Sequence, residues 1–328
     1  MKSRFLSEWI RNFLDQHPAR ARSLIITVYG DLIAAHGGTV WLGSFIRLME
    51  PLGLNERTVR TSVYRLSKEK WLVSEQRGRK SHYSLTPSGR RRFEHAYRRI
   101  YFEPRETWAG EWQLVMIPSS LDGAQRDALR KELAWAGYGA LASGMLAHPS
   151  ADTEALLDIL EEIGAHDKVV ALKANNITPM IARPLLEIVQ DCWNLDVLAE
   201  RYEEFIGLFR PVLRSMRAMS SPDPEQLFLI QTLLMHSFRR ALLHDPQLPS
   251  QLLPSNWSGG IARALCRDIY RITYPYAEQH LMSVCETVNG RLPPAAPQFY
   301  DRFGGLEGAP SADGVAEPGK LLAGHGVS

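Results

Sequence analysis

Among its 328 residues the chain has only three cysteines, Cys192, Cys266 and Cys285, far apart and with no CxxC pair. That scarcity excludes a disulfide framework and a thiolate zinc site, and it favours a reducing compartment. No apolar run reaches the roughly 18 residues that a membrane span needs. Glu8, Arg11 and Asp15 interrupt any leader-like apolar core near the N-terminus. A cytoplasmic protein with no membrane contact is the expectation. Signatures of catalysis are missing as well: there is no nucleophile elbow, no HExxH pair, no Cys-His signature and no phosphate-cradling glycine loop. His236, His244 and His280 have no partners at ligand spacing. No catalytic residue, metal or cofactor is therefore expected.

Charge is present in quantity and unevenly placed. The net of +2 hides a basic first third. Residues 1–107 hold 20 Lys and Arg against 10 Asp and Glu, a net of +10, while the remainder carries −8. A basic segment joined to an acidic one suggests a part that meets a polyanion and a part with another task.

The basic third has an ordered pattern of elements. Residues 20–36 read as a buried helix stopped by Gly37-Gly38. A short apolar segment at 40–42 precedes a short helix over 43–52. Gly53-Leu54-Asn55 is a turn with Asn55 as N-cap, and a helix over 56–70 follows. Two short strands, 71–75 and 82–85, flank the charged loop Gln76–Ser81, and Thr86-Pro87 opens a basic helix over 87–102. Helix, short helix, turn, helix, hairpin is the order of a winged helix-turn-helix. At 100° per residue, Val59, Val63 and Leu66 share one face, while Arg57, Arg60, Thr61, Tyr64 and Lys68 share the other. The outward face suits base-edge and phosphate contacts in a major groove, and Arg77, Arg79 and Lys80 put three cations on the hairpin. A helix with several arginines standing alone is most often a solvated face. Here the order of elements and the local charge point the same way.

Residues 111–174 follow the pattern βαββαβ: strands at 112–118, within 138–148 and at 168–172, with helices over 122–136 and 152–163. That pattern is ferredoxin-like. From about residue 183 the chain reads as helical. Pro211 is expected to break or kink a run through Leu198, Tyr202, Phe205 and Phe209, and Asp223-Pro224 opens another helix. Residues 304–328, rich in glycine, read as a disordered tail. The predicted class is α+β, divided into a winged helix-turn-helix domain over 1–107, a ferredoxin-like domain over 108–180, a helical C-terminal domain over 181–303 and a tail over 304–328.

Several motifs carry a wider resemblance. Tyr29-Gly30-Asp31, the run Gly37–Gly43 (GGTVWLG), Glu56–Thr61 (ERTVRT), Gly78–Leu85 (GRKSHYSL) and Trp135–Leu141 (WAGYGAL) are similar to the PaaX-type repressors of phenylacetic acid degradation. So are Phe238-Arg239-Arg240, Asp245–Pro249 (DPQLP), Leu252-Leu253-Pro254 and Tyr300–Leu306 (YDRFGGL). The resemblance spans about residues 20–306. It implies a homodimer that binds double-stranded operator DNA and is released by phenylacetyl-CoA, with a Cas2-like middle domain and an effector-sensing C-terminal part.

The residues expected to contact DNA are Arg57, Arg60, Thr61, Tyr64 and Arg65 on the helix and Arg77, Arg79 and Lys80 on the hairpin. A CoA thioester needs cations for its phosphates and an apolar pocket for its acyl group. Arg239 and Arg240 are the candidate cations, with Trp193, Tyr202, Phe205 and Trp257 as candidate lining. Two rival functions lack the residues they need. A CoA-thioester enzyme lacks an activated nucleophile or acid/base pair. A Cas2-like nuclease lacks a carboxylate at the end of its first strand, which closes Ile117-Pro118-Ser119-Ser120.

Overall fold

The computed structural model describes residues 2–18, 20–103, 108–175 and 185–307, with the side chains of His95 and Leu185 left aside. Helix α1 (Arg4–Gln16), capped by Ser3, precedes α2 (Ala21–Asp31), which passes through a 3-10 turn at Ile33–His36 into strand β1 (Thr39–Trp41). The single helix expected over 20–36 is thus a helix and a turn, and α1 was not anticipated. Then come α3 (Leu42–Met49), α4 (Glu56–Lys68), the hairpin strands β2 (Leu72–Arg77) and β3 (Lys80–Leu85), and α5 (Pro87–Tyr101). The three strands form an antiparallel sheet in the order β1-β3-β2. Gly30 lets α2 and α5 meet closely, since a Cβ there would lie 2.7 Å from the Phe93 ring.

The middle segment runs β4 (Glu111–Met116), α6 (Gly123–Trp135), β5 (Gly139–Ala142), β6 (Met145–His148), α7 (Thr153–Ile163) and β7 (Val170–Asn175). Its sheet order, β5-β6-β4-β7 with every pairing antiparallel, is that of a βαββαβ fold. The last strand lies two to three residues later than expected. Asp122 and Asp152 cap the two helices, accepting from the backbone N–H groups of Gln125 and Glu154 at 2.8 and 3.0 Å. Val115, Leu129, Leu133, Leu146, Leu156 and Leu160 form its core.

The last third holds α8 (Leu185–Cys192), α9 (Leu195–Arg217), α10 (Pro224–Leu242) and α11 (Ser258–Val284), then the two-stranded ribbon β8 (Glu286–Thr287) and β9 (Gly290–Arg291) and a 3-10 segment, Pro297–Gly304. Of the break or kink expected at Pro211, the break does not occur: α9 runs continuously from Leu195 to Arg217. Pro211 and Gly207, the residue whose carbonyl loses its donor, are both exposed, so water can meet that carbonyl. Phe209, Val212 and Leu213 hold the inner face in the core. Pro275 is likewise exposed within α11, which extends well past the expected end at Tyr270.

One hydrophobic cluster joins α1–α5 to α9–α11, from Leu6 to Leu306, so the two ends of the chain share a core. A smaller cluster of Trp112, Val189, Trp193, Leu195, Leu248 and Leu252 seals the middle sheet against the C-terminal helices. Of the expected tail, Gly304–Glu307 is placed, with Leu306 buried and the Glu307 carbonyl accepting from the Tyr274 hydroxyl. The rest, residues 308–328, lies outside the described residues.

Candidate nucleic-acid interface

Helix α4 begins at Asn55, whose Oδ1 accepts from the Thr58 N–H at 2.9 Å, and Glu56 sits in the first turn, where the helix dipole favours it. Such a cap stabilises a helix by about 1 kcal/mol. Val59, Val63 and Leu66 are buried at 0–2% exposure. That anchoring turns Arg57, Arg60, Thr61, Tyr64 and Arg65 outward, and all five are exposed. Arg60 is braced by Glu56, with Nε and Nη2 both 2.7 Å from Oε1. The Lys68 ammonium lies 5.4 Å from the Tyr64 ring centroid. Arg57 and Arg65 have no ion pair among the described residues.

The β2–β3 hairpin turns at Gly78-Arg79, with Arg77 opposite Lys80. Gly78 has φ +58°, as the first central residue of a two-residue hairpin turn requires. Arg79 is exposed and has no ion pair among the described residues. Arg77 donates to Glu75 at 2.8 Å. Lys80 is more heavily engaged: its Nζ is 2.9 Å from Glu286 Oε2 and 4.1 Å from the Trp41 ring centroid. That hydrogen bond and the nearby Arg47 hold the Glu286 carboxyl below its ordinary range. Arg47 flanks the other side, 5.2 Å from the Trp41 centroid and 3.6 Å from Glu286 Oε1. Sequence reasoning missed Trp41, Arg47 and Glu286, because the pairing spans 206 residues.

The effector candidates do not converge on one site. Tyr202 and Trp257 meet edge to face at 5.9 Å, and the Tyr202 hydroxyl donates to Asp245. Phe205 is core, between Phe209 and Phe238. Trp193 is buried beside Trp112 and donates from Nε1 to the Gly137 carbonyl at 2.8 Å. Arg239 turns toward α2, donating to the Ser23 carbonyl and hydroxyl at 3.1 and 3.0 Å, and burial lowers its guanidinium to about 10. Arg240 is exposed.

A second polar cluster joins the basic third to the C-terminal helices. The buried Asp31 of α2 accepts at Oδ1 from the Tyr101 and Tyr270 hydroxyls at 2.5 and 3.0 Å and from Arg302 at 3.2 Å. Its Oδ2 accepts from Gln231 at 2.9 Å. Arg302 is fully buried, with its guanidinium 4.2 and 4.4 Å from the Tyr101 and Phe299 ring centroids. Burial opposes its charge, yet Tyr101, Tyr270 and Asp31 outweigh that and hold it raised. His36 is also buried, with Nδ1 2.7 Å from the Pro293 carbonyl and Nε2 2.7 Å from Glu278. Burial alone would lower its pKa, but these two acceptors raise it. Both ring nitrogens face acceptors, so the imidazolium fits this site.

Comparison with known proteins gives a consistent picture. The family described as PaaX-like protein matches residues 20–89, the PaaX protein central Cas2-like domain matches 105–185, and the PaaX-like protein C-terminal domain matches 193–283. A transcriptional repressor PaaX of Escherichia coli (strain K12) is 38% identical over 302 residues, covering 92% of this chain and 95% of that protein. Among solved structures, an uncharacterized protein from Mycobacterium tuberculosis superposes with a TM-score of 0.51 at 24% identity, covering 79% of this chain and 97% of that one, and it speaks for the fold alone. No described helix is long and apolar enough to cross a membrane.

Proposed function

The chain belongs to the PaaX-like protein family, and from that premise we propose that it is a non-catalytic transcriptional repressor of phenylacetic acid catabolic genes. The observation that carries the reading is the outward face of α4, anchored by Val59, Val63 and Leu66 and carrying Arg57 and Arg65, both exposed and without an ion pair among the described residues. In this reading residues 1–107 act as a winged helix-turn-helix domain. Helix α4 enters the major groove, Arg57, Arg60, Thr61, Tyr64 and Arg65 contact bases and phosphates, and Arg77, Arg79 and Lys80 track the backbone. A homodimer sets two such helices about 34 Å apart on an inverted-repeat operator. The Cas2-like middle domain serves dimerisation or signal coupling. Asp122, the first carboxylate after β4, is committed to capping α6, which argues against a nuclease role.

Phenylacetyl-CoA is the proposed effector. It acts by favouring a dimer whose two helices no longer match successive grooves, which requires a difference in its affinity for the two states. Among the candidate residues, Arg240 and the half-exposed Trp257, edge to face with Tyr202, can be reached without opening the core. Arg239, Trp193 and Phe205 then act from behind that surface. A gel shift on operator DNA tests the proposal: the complex collapses with phenylacetyl-CoA and survives phenylacetate or free CoA. Equal release by phenylacetate would overturn the effector assignment.

A further inference from the structure

Just past the end of α11 the chain sets one carboxylate between Lys80 of the proposed DNA-binding face and the neighbouring Arg47. Glu286 Oε2 lies 2.9 Å from Lys80 Nζ, and Oε1 lies 3.6 Å from Arg47 Nη2. The two cations sit over the Trp41 ring, at 4.1 and 5.2 Å from its centroid. The backbone that carries the carboxylate is itself anchored. The Glu286 N–H donates to Ser44 Oγ at 3.1 Å, and Ser44 in turn donates to the Trp41 carbonyl at 2.9 Å. Cys285, next to it, is buried, and Arg47 also donates to the Val284 carbonyl at 3.4 Å. Two oxygens shared between an ammonium and a guanidinium at the edge of a DNA-reading surface are the chemical equivalent of a backbone phosphate.

We propose that Glu286 is a positioning residue of the DNA-binding surface, occupying in the free protein the two cations, Lys80 and Arg47, that a DNA phosphate takes on docking. The inference rests on the DNA-binding reading above. Exchange of carboxylate for phosphate links DNA to the C-terminal helices, because Glu286 is the first residue of the ribbon at the end of α11. That helix is about 40 Å long at 1.5 Å per residue. Near its other end, Arg263 donates to the carbonyls of Arg99, Ile100 and Phe102 at 3.0–3.1 Å, gripping the C-terminus of α5. The rod and the ribbon at its end therefore touch both the turn end of the hairpin, at Lys80, and the helix that leads into the middle domain.

The test is a mutant cycle read by fluorescence anisotropy on an operator duplex at low salt, using the full-length chain. Glu286→Gln keeps the side-chain volume and the backbone bond to Ser44. In the native background it is expected to tighten binding about two- to fivefold, the scale of an exposed ion pair released. In a Lys80→Gln/Arg47→Gln background the same change is expected to leave affinity unmoved. At about 0.5 M salt the difference between backgrounds shrinks, since such pairs are screened. Equal tightening in both backgrounds would show only general repulsion between a carboxylate and DNA, and no tightening in the native background would show a passive anchor. Either result overturns the inference. A native chain that binds the operator no better than a random duplex would instead overturn the repressor reading.

Discussion

Two groups of arginines in this molecule have opposite surroundings. On α4 and the hairpin, Arg57, Arg65 and Arg79 stand exposed with no acid partner among the described residues. At the junction of α2, α5 and α11, Arg302 has almost no exposure and is surrounded by Asp31, Tyr101, Tyr270 and Phe299. An exposed guanidinium keeps its fork of donors for a partner, and its loss costs the fold little. The buried guanidinium is paired from within, its Nη1 bonding Asp31 and the Tyr270 hydroxyl while its Nε has no hydrogen-bond partner among the described residues, so its loss leaves an acid stranded in low dielectric. In the proposed reading, one residue type thus serves recognition in one region and architecture in the other. Arg60 lies nearer the first group, because its brace to Glu56 is a surface pair that positions the side chain and adds a few tenths of a kcal/mol.

The largest expected effect is at the junction. Arg302→Met is predicted to cost roughly 3–5 kcal/mol, because Asp31 is left buried without its cation. Thermal or denaturant unfolding would show it, and adding Asp31→Asn should recover part of the loss. An unchanged midpoint would mean that the cluster does not hold the two ends of the chain together. Next in size is the recognition face. Arg60→Ala is expected to weaken operator binding by about 1–3 kcal/mol while the unfolding midpoint stays in place. Arg57→Gln should reduce the slope of log affinity against log salt by about one if it contacts phosphate. An Arg60 variant that binds normally would remove that residue from the contact set.

The smallest expected effect is in pH dependence. His36 has a raised pKa in the folded state, so its contribution to stability is present below about pH 6.5 and is lost as pH rises through the folded value. His148 and His236 behave oppositely. Burial lowers each to about 4, so the fold must exclude protons that the unfolded chain binds, and stability falls between about pH 6.5 and 4. Stability curves measured at pH 5, 6.5 and 8 would show the two slopes. His36→Gln should flatten the alkaline arm only, and a slope unchanged by that substitution would contradict the assignment.

Much of the basic third was legible because its information is local. Asn55 and Glu56 announce the start of α4, and the spacing of Val59, Val63 and Leu66 sets its inner face. The order of elements in the middle segment gave βαββαβ for the same reason, as Asp122 and Asp152 are caps and Gly164 is a stop. Pro211 misled because a local rule was applied without knowing that its side of α9 faces water and that the other side is held in a core. Among the effector candidates, the aromatic spacing at Tyr202 and Phe205 reports burial alone, which both core and pocket satisfy.

By itself the sequence determined the charge of the first third, the start and inner face of α4, the strand and helix order of the middle segment, and the family. These follow from periodicity, caps and turns within a few residues of one another. Only the tertiary structure decided that Lys80 meets Glu286, that Asp31 meets Arg302, and that the two ends of the chain share one core. Those partners stand 206 and 271 residues apart. Nothing in a helix's own pattern states which distant carboxylate will reach it, because that depends on how the apolar faces pack together.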